Sequence, residues 1–207
     1  MAVIRCTPLR LTFSILIAFL AVSSIWDRWD GTWEPWKFYT YLSNTLVAVV
    51  FIIQSVFLMA TIFGRPLRLP AGFKGFTALC ILLTFLTVFL ILNPFGRPLG
   101  WLDTRVHYLV PLLTFAEWLL FEPHGQLKPR HLMLWPLTPL AYYGYVLILH
   151  SLDVRFGGNR FPYFFMDYHT YGWGFVLRIL CVLAGIFLLF GFLMLLYDRF
   201  LDKRRAH

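Results

Sequence analysis

Residues 36–60 read WKFYTYLSNTLVAVVFIIQSVFLMA. From Phe38 onward the run is long enough to cross a bilayer as one helix, since about 20 apolar residues rising 1.5 Å each span the ~30 Å hydrocarbon core. Yet its first turns carry Thr40, Ser43 and Asn44. In water these side chains would be unremarkable. In a bilayer an unpaired polar group is heavily penalised, so the three are either paired across helices or used chemically.

The rest of the chain has the same character. Its 207 residues are 59% hydrophobic and only 14% charged, with mean hydropathy +0.71, whereas a soluble domain carries about 25% charged residues. The class is all-α polytopic membrane protein, with residues 1–207 forming one integral membrane domain. Six apolar segments fall at about 9–26, 38–63, 73–92, 106–121, 131–151 and 174–197, each near the length of a tilted span. Arg5 and Arg10 followed by LTFSILIAFLAV also fit a signal peptide, but the segment is read as a retained helix. Pro136 and Pro139 predict a kink in the fifth segment. Loop 151–173, rich in aromatics and interrupted by glycines and Pro162, is expected to lie across the mouth of the bundle.

The formal charge of +8 does not point to nucleic acid, because the basic residues sit in short loops between apolar runs. Their distribution instead orients the chain. With the N-terminus inside, eleven Lys and Arg residues fall on inner segments (Arg5, Arg10, Arg65, Arg68, Lys74, Lys128, Arg130, Arg199, Lys203, Arg204, Arg205) and six on outer loops (Arg28, Lys37, Arg97, Arg105, Arg155, Arg160). The positive-inside bias puts both termini in the cytoplasm. Trp26, Trp29, Trp33 and Trp36 then form an outer aromatic belt. Cys6, Cys80 and Cys181 show neither metal spacing nor a disulfide pattern and are expected to be buried packing residues. No metal or cofactor is expected.

Helical periodicity places Thr40, Ser43, Asn44, Val47, Phe51 and Gln54 on one stripe of the second helix, which should face the bundle interior. The plain reading of such a stripe is interhelical hydrogen bonding. His107 opens the fourth helix from the same side, so a hydroxyl and an imidazole come to similar depth, the pairing of a nucleophile with its general base. His150 ends the fifth helix at that level, and Asp153 and Asp167 follow in the outer loop. Glu117 lies about 15 Å deeper than His107, where a structural pair with Lys or Arg is expected. Arg178 is expected to snorkel or to pair with Asp153 or Asp167.

The ordered set WKFYTYLSN, VHYLVPLLTFAEWLLF, PLAYYGYVLILH and FPYFFMD, spread over roughly residues 10–195, resembles the FAR-17a/AIG1-like superfamily, in particular its bacterial Pr6Pr-type branch. The resemblance implies a six-helix membrane bundle. It also implies, from the animal members, a threonine hydrolase of fatty-acyl esters of hydroxy fatty acids. On the family pattern the nucleophile is Thr40, after WKFY, and the base is His107, ten residues before Glu117. Ser43 and Asn44 match the bacterial branch rather than the animal one, so the animal substrate does not transfer with the motif. A bacterial cytoplasmic membrane is the implied location, with the site near the outer face.

Three functions follow as expectations. The first is a lipid ester hydrolase with Thr40 as nucleophile, His107 as general base, Ser43 or Asn44 donating to the oxyanion, and His150 and Asp167 in support. Its partners would be a lipid ester substrate and membrane lipids. The second is a small-solute transporter, which requires polar residues at several depths. The third is a non-catalytic bundle that binds lipid or a partner helix.

Overall fold

The computed structural model describes residues 6–96 and 98–203, so Arg5, Arg97, Arg204 and Arg205 of the charge count lie outside the described residues. Six long helical stretches follow one another. They are α1 (Thr7–Arg28), α2 (Tyr39–Ile62), α3 (Ala71–Leu92), α4 (Trp101 to Phe121), α5 (Pro129–Ser151) and α6 (Trp173–Lys203). The described residues contain no strand, only a single bridge between Phe156 and Asn159. Five of the six, all but α4, are long and apolar enough to cross a membrane. The α4 stretch carries Asp103, Arg105 and Glu117 among its apolar residues.

The segment boundaries read from hydropathy fall inside the observed helices, except that 38–63 overruns α2 by one residue at each end. The largest differences are at the end of α6, which runs on to Lys203, and at the start of α4, whose first turn, Trp101–Thr104, is too polar to register as apolar sequence. Two widened turns interrupt the regular helices, Val88–Leu92 at the end of α3 and Arg105–Leu109 within α4. Both precede a proline. Pro111 has no N–H for the His107 carbonyl four residues back and would crowd it, and the π turn over Arg105–Leu109 absorbs the mismatch. The expected break in α5 is also present, at Trp135–Pro136 between the helical pieces Pro129–Leu134 and Leu137–Ser151.

The packing is that of a membrane bundle. Phe19, Val56, Leu140 and Ile148 are exposed, while the buried side of α2 is the stripe Thr40, Ser43, Asn44, Val47, Phe51 and Gln54, with Tyr41, Ala48 and Val50. One apolar cluster joins α1, α2, α3 and α4 through Ile17, Ala21, Val47, Phe51, Ile81 and Val110. A second joins α3, α4, α5 and α6 around Trp118 and Phe187. The α4 stretch packs between α1 and α3. The second half of α5 packs loosely, with only Tyr142 and Val146 buried.

The tryptophan-rich loop marks one end of the bundle. Trp26, Trp29 and Trp33 are exposed and their rings, with Trp36, form a contiguous cluster. Loop 151–173 folds over that end as expected, burying Phe156, Phe161, Phe165 and Met166. It is clasped to the first loop where Glu34 accepts from the Gly157 N–H (2.8 Å) and Lys37 Nζ donates to the Arg155 carbonyl (2.8 Å). The expectation for the cysteines is corrected in part. Cys80 is buried, but Cys6 and Cys181 are exposed, because Cys181 lies on the outward face of α6 and Cys6 precedes α1.

Candidate functional site

At the tryptophan end, α2 and α4 are tied by one side chain. Asn44 Nδ2 donates to the Thr40 carbonyl (2.7 Å) and to the Val106 carbonyl (3.2 Å). The bond to Val106 fixes the turn that presents His107 at the level of the turn that presents Thr40. Ser43 Oγ donates to the same Thr40 carbonyl (3.0 Å) and lies 2.8 Å from Thr84 Oγ1 on α3. The polar opening of α2 therefore locks α2 to both neighbours.

Polar atoms are left over in and around this layer, amongst them Arg105 Nε and Tyr143 Oη. Asn44 Oδ1 and His107 Nδ1 are buried and have no hydrogen-bond partner. Buried polar atoms are overwhelmingly paired, so orphans in a native core call for an explanation. The π turn adds a second mark, since such bulges often occur at functional sites.

Thr40 stands where two cavities meet. An open cleft of about 620 Å³ is lined by Thr40, Tyr41, His107 and the charged residues Arg28, Asp30, Glu34 and Asp103, among others. A smaller apolar cavity of about 90 Å³ runs behind it between α3, α5 and α6, lined by Leu83, Val88, Leu140, Tyr142, Leu183 and neighbours. Thr40, Leu92 and Tyr163 line both. Leu92 and Leu140 are also exposed on the outside of the bundle, so the apolar cavity reaches the surface that would meet lipid tails.

Tyr163, in loop 151–173, is the site residue that the sequence did not single out. Burial pushes its phenol pKa up, opposed by hydrogen bonding to Thr40 and Tyr142 and to the Tyr39 backbone. The available signal was its place inside FPYFFMD, where period and hydropathy do not distinguish it from the flanking rings. Asp103 is a second such residue; its carboxylate bears electrostatically on the His107 ring.

Four expected site residues come together and two do not. Thr40 and His107 line the cleft, and Ser43 and Asn44 support the turn beneath it. Both Asn44 amide protons are already given to carbonyls. His150 instead faces His169 (Nε2 to Nε2, 3.3 Å) and packs on Phe161, and Asp167 caps the turn Tyr168–Tyr171 by accepting from the His169 and Thr170 N–H groups and the Thr170 hydroxyl. Arg178 donates to the carbonyl of Gly174 on its own helix (3.0 Å) rather than to Asp153 or Asp167. For Asp167 and Arg178 the reason is local, whereas His150 is held by His169 and Phe161 of loop 151–173. A helix-end carboxylate or guanidinium finds backbone partners within one turn before it reaches across the bundle.

Glu117, far from the tryptophan end, is fully buried in a network of its own. It accepts from Arg10 Nε, Gln54 Nε2 and Lys74 Nζ, each at 2.8 Å. Gln54 also donates to Ser14 Oγ (2.8 Å), and Arg10 reaches on to Glu122. The structural pair expected for Glu117 is thus a cluster of four helices. A cavity of about 460 Å³ lies beside it, lined by Arg10, Gln54, Lys74 and Glu122 among others. Between this layer and the cleft lies the apolar cluster around Val47, Val50, Phe51 and Val110.

Compared with protein-family models, curated proteins and solved structures, the chain matches none.

Proposed function

We propose that the protein is an intramembrane hydrolase of lipid esters, with Thr40 as nucleophile and His107 as general base. The observation that carries the reading is that Thr40 lies on the seam between a cleft containing His107 and an apolar cavity that reaches the bundle surface. An ester seated there has its acyl chain in the apolar cavity, its alcohol in the cleft and its carbonyl at Thr40. The Thr40 hydroxyl attacks the carbonyl carbon as His107 takes its proton. His107 then returns that proton to the leaving alcohol, and water, activated by the same ring, releases the acid from the acyl-threonine. The FAR-17a/AIG1-like resemblance puts the nucleophile and base on the same two residues.

The reading includes six spans with both termini cytoplasmic and the cleft on the outer side of a bacterial cytoplasmic membrane. The excess of Lys and Arg on the inner segments supports it, as does the length of α4, about 30 Å at helical rise. Cysteine labelling in a background lacking Cys6, Cys80 and Cys181 tests this topology. An added cysteine at residue 66 is expected to resist impermeant reagent in intact cells and one at residue 158 to react; the reverse pattern overturns it.

Activity is tested by ester turnover in detergent and by fluorophosphonate labelling. Thr40→Ala and His107→Ala should each abolish hydrolysis, and the double substitution should cost little more, because the two act as one unit. Thr40→Ser keeps a hydroxyl and should retain turnover. Should Thr40→Ala match the parent, Thr40 is not the nucleophile. Should the parent cleave no ester in a broad panel, the reading passes to a lipid-binding bundle.

A further inference from the structure

The charges around the two cavities narrow the ligand. Among the described residues, the cleft lining carries one Arg or Lys, Arg28, against three carboxylates, Asp30, Glu34 and Asp103. Lys37 offsets Glu34 by a direct ion pair, which still leaves Asp30 and Asp103 against Arg28. Asp30 is held ionised, below the usual carboxylate range, by hydrogen bonds from the Thr32 hydroxyl and N–H. Arg105, beside the cleft on α4, pairs with Asp27 and Ser23 and is not part of the cleft lining, and neither are Arg155 and Arg160 of the overlying loop. Among the described residues, the apolar cavity behind Thr40 has no charged side chain in its lining; its polar side chains carry hydroxyls, amongst them Tyr143 Oη, buried and without a partner. An anion is therefore repelled at one end of the site and has no counter-charge at the other. Such like-charge placement is how a site rejects a competing ligand.

We infer that the ligand is an acyl ester whose alcohol portion is uncharged, of the glycerol type, and not an ester ending in a free carboxylate or phosphate. This rests on the hydrolase reading for the word ester, but its charge argument concerns binding and stands apart from chemistry. It departs from the acid-bearing hydroxy fatty acid esters that the family resemblance implies. The neutral alcohol sits in the cleft among Asp30, Glu34 and Asp103, where its hydroxyls find acceptors. The acyl chain passes Thr40 and leaves between Leu92 and Leu140 toward the bilayer.

Two measurements test it on the purified full chain in detergent. The first is binding of non-hydrolysable ethers of equal chain length, a 1-O-alkylglycerol and an alkoxyacetic acid. The neutral ether should bind about tenfold or more tightly at low salt, with the gap closing as salt screens the cleft. Equal affinity, or tighter binding of the acid, overturns the inference. The second is turnover of the matching esters, one of glycerol and one of a hydroxy acid. The acid-to-neutral ratio of kcat/KM should be about one tenth or less, and should rise severalfold in Asp30→Asn/Asp103→Asn. Turnover of the acid ester at the neutral rate sinks this inference while leaving the hydrolase reading intact. A neutral preference in binding with no turnover of either ester sinks the hydrolase reading and leaves this one.

Discussion

The molecule holds two buried polar layers that share α2 and differ in one respect. In the layer around Glu117 both carboxylate oxygens are occupied, by Arg10, Gln54 and Lys74. In the layer around Thr40 several buried atoms, amongst them Asn44 Oδ1 and His107 Nδ1, have no partner, and the Thr40 hydroxyl opens on two cavities. A satisfied network stabilises one arrangement and has little left to offer a substrate. An under-satisfied one keeps donors and acceptors in reserve. The four or so turns of α2 that link them show both uses of polar residues in a membrane, and the apolar plug of Val47, Val50 and Phe51 keeps them apart.

The largest effect expected from breaking this comparison is on the satisfied side. Glu117→Gln leaves Lys74, 3% exposed, without its counter-charge, facing a neutral amide and the ring of Phe51, whose centroid is 4.1 Å away. Stranding a buried charge costs about 3–5 kcal/mol. The variant should melt far below the parent in detergent, yet the folded fraction should keep most of its ester turnover, since Glu117 lies about 15 Å from His107 along the helix. Removing the pair together, Glu117→Leu/Lys74→Met, leaves Arg10 with Glu122 and should recover most of the stability. Loss of turnover in well-folded Glu117→Gln would join the two layers functionally.

A smaller effect is expected at Asn44. Asn44→Ala removes two donated hydrogen bonds and one orphan acceptor, so the net stability loss should be modest, about 1–2 kcal/mol. Turnover should suffer more, roughly a hundredfold, because the tie that sets His107 against Thr40 is gone and small misplacements of reacting groups are expensive. The two are read by melting temperature and by single-turnover ester cleavage. A variant that loses stability but not rate would make Asn44 a packing residue, and the layer at Thr40 would then resemble the layer at Glu117.

Much of this layout is visible in the sequence, and the missing parts share a cause. The interior stripe of α2 follows from helical period, and the kink at Trp135–Pro136 follows from proline chemistry. Thr40 and His107 share a level because two helices start from the same end. Tyr163 and Asp103 were hidden because loop 151–173 and the first turn of α4 have no period to read; their positions depend on how the loops close. Arg10 and Lys74 were legible as inner charges, but sequence does not say that both turn inward to one carboxylate rather than outward to headgroups. His150 and Asp167 have the right residue types at the right level, but His150 is taken by the His169 side chain and Asp167 by the backbone of its own turn.

The smallest expected effect concerns the clasp over the cleft. Glu34 is held below the usual carboxylate range by the Lys37 ion pair, then by the Gly157 N–H. Because its folded pKa is depressed, its contribution is complete above the unfolded value of about 4.3 and is lost as pH falls through the folded one. Its side chain is 38% exposed, so solvent screens the pair and the global stability should hardly move. The local effect should be visible in amide hydrogen exchange. Protection at Arg155, Phe156 and Gly157 should be flat from pH 7 to about 5, after correction for intrinsic rates, and should fall below about pH 4. Glu34→Gln should show the reduced protection at every pH. Loop exchange that ignores both pH and substitution would mean that Phe156, Phe161 and Phe165 hold the loop by packing alone, and that the cleft is roofed without help from charge.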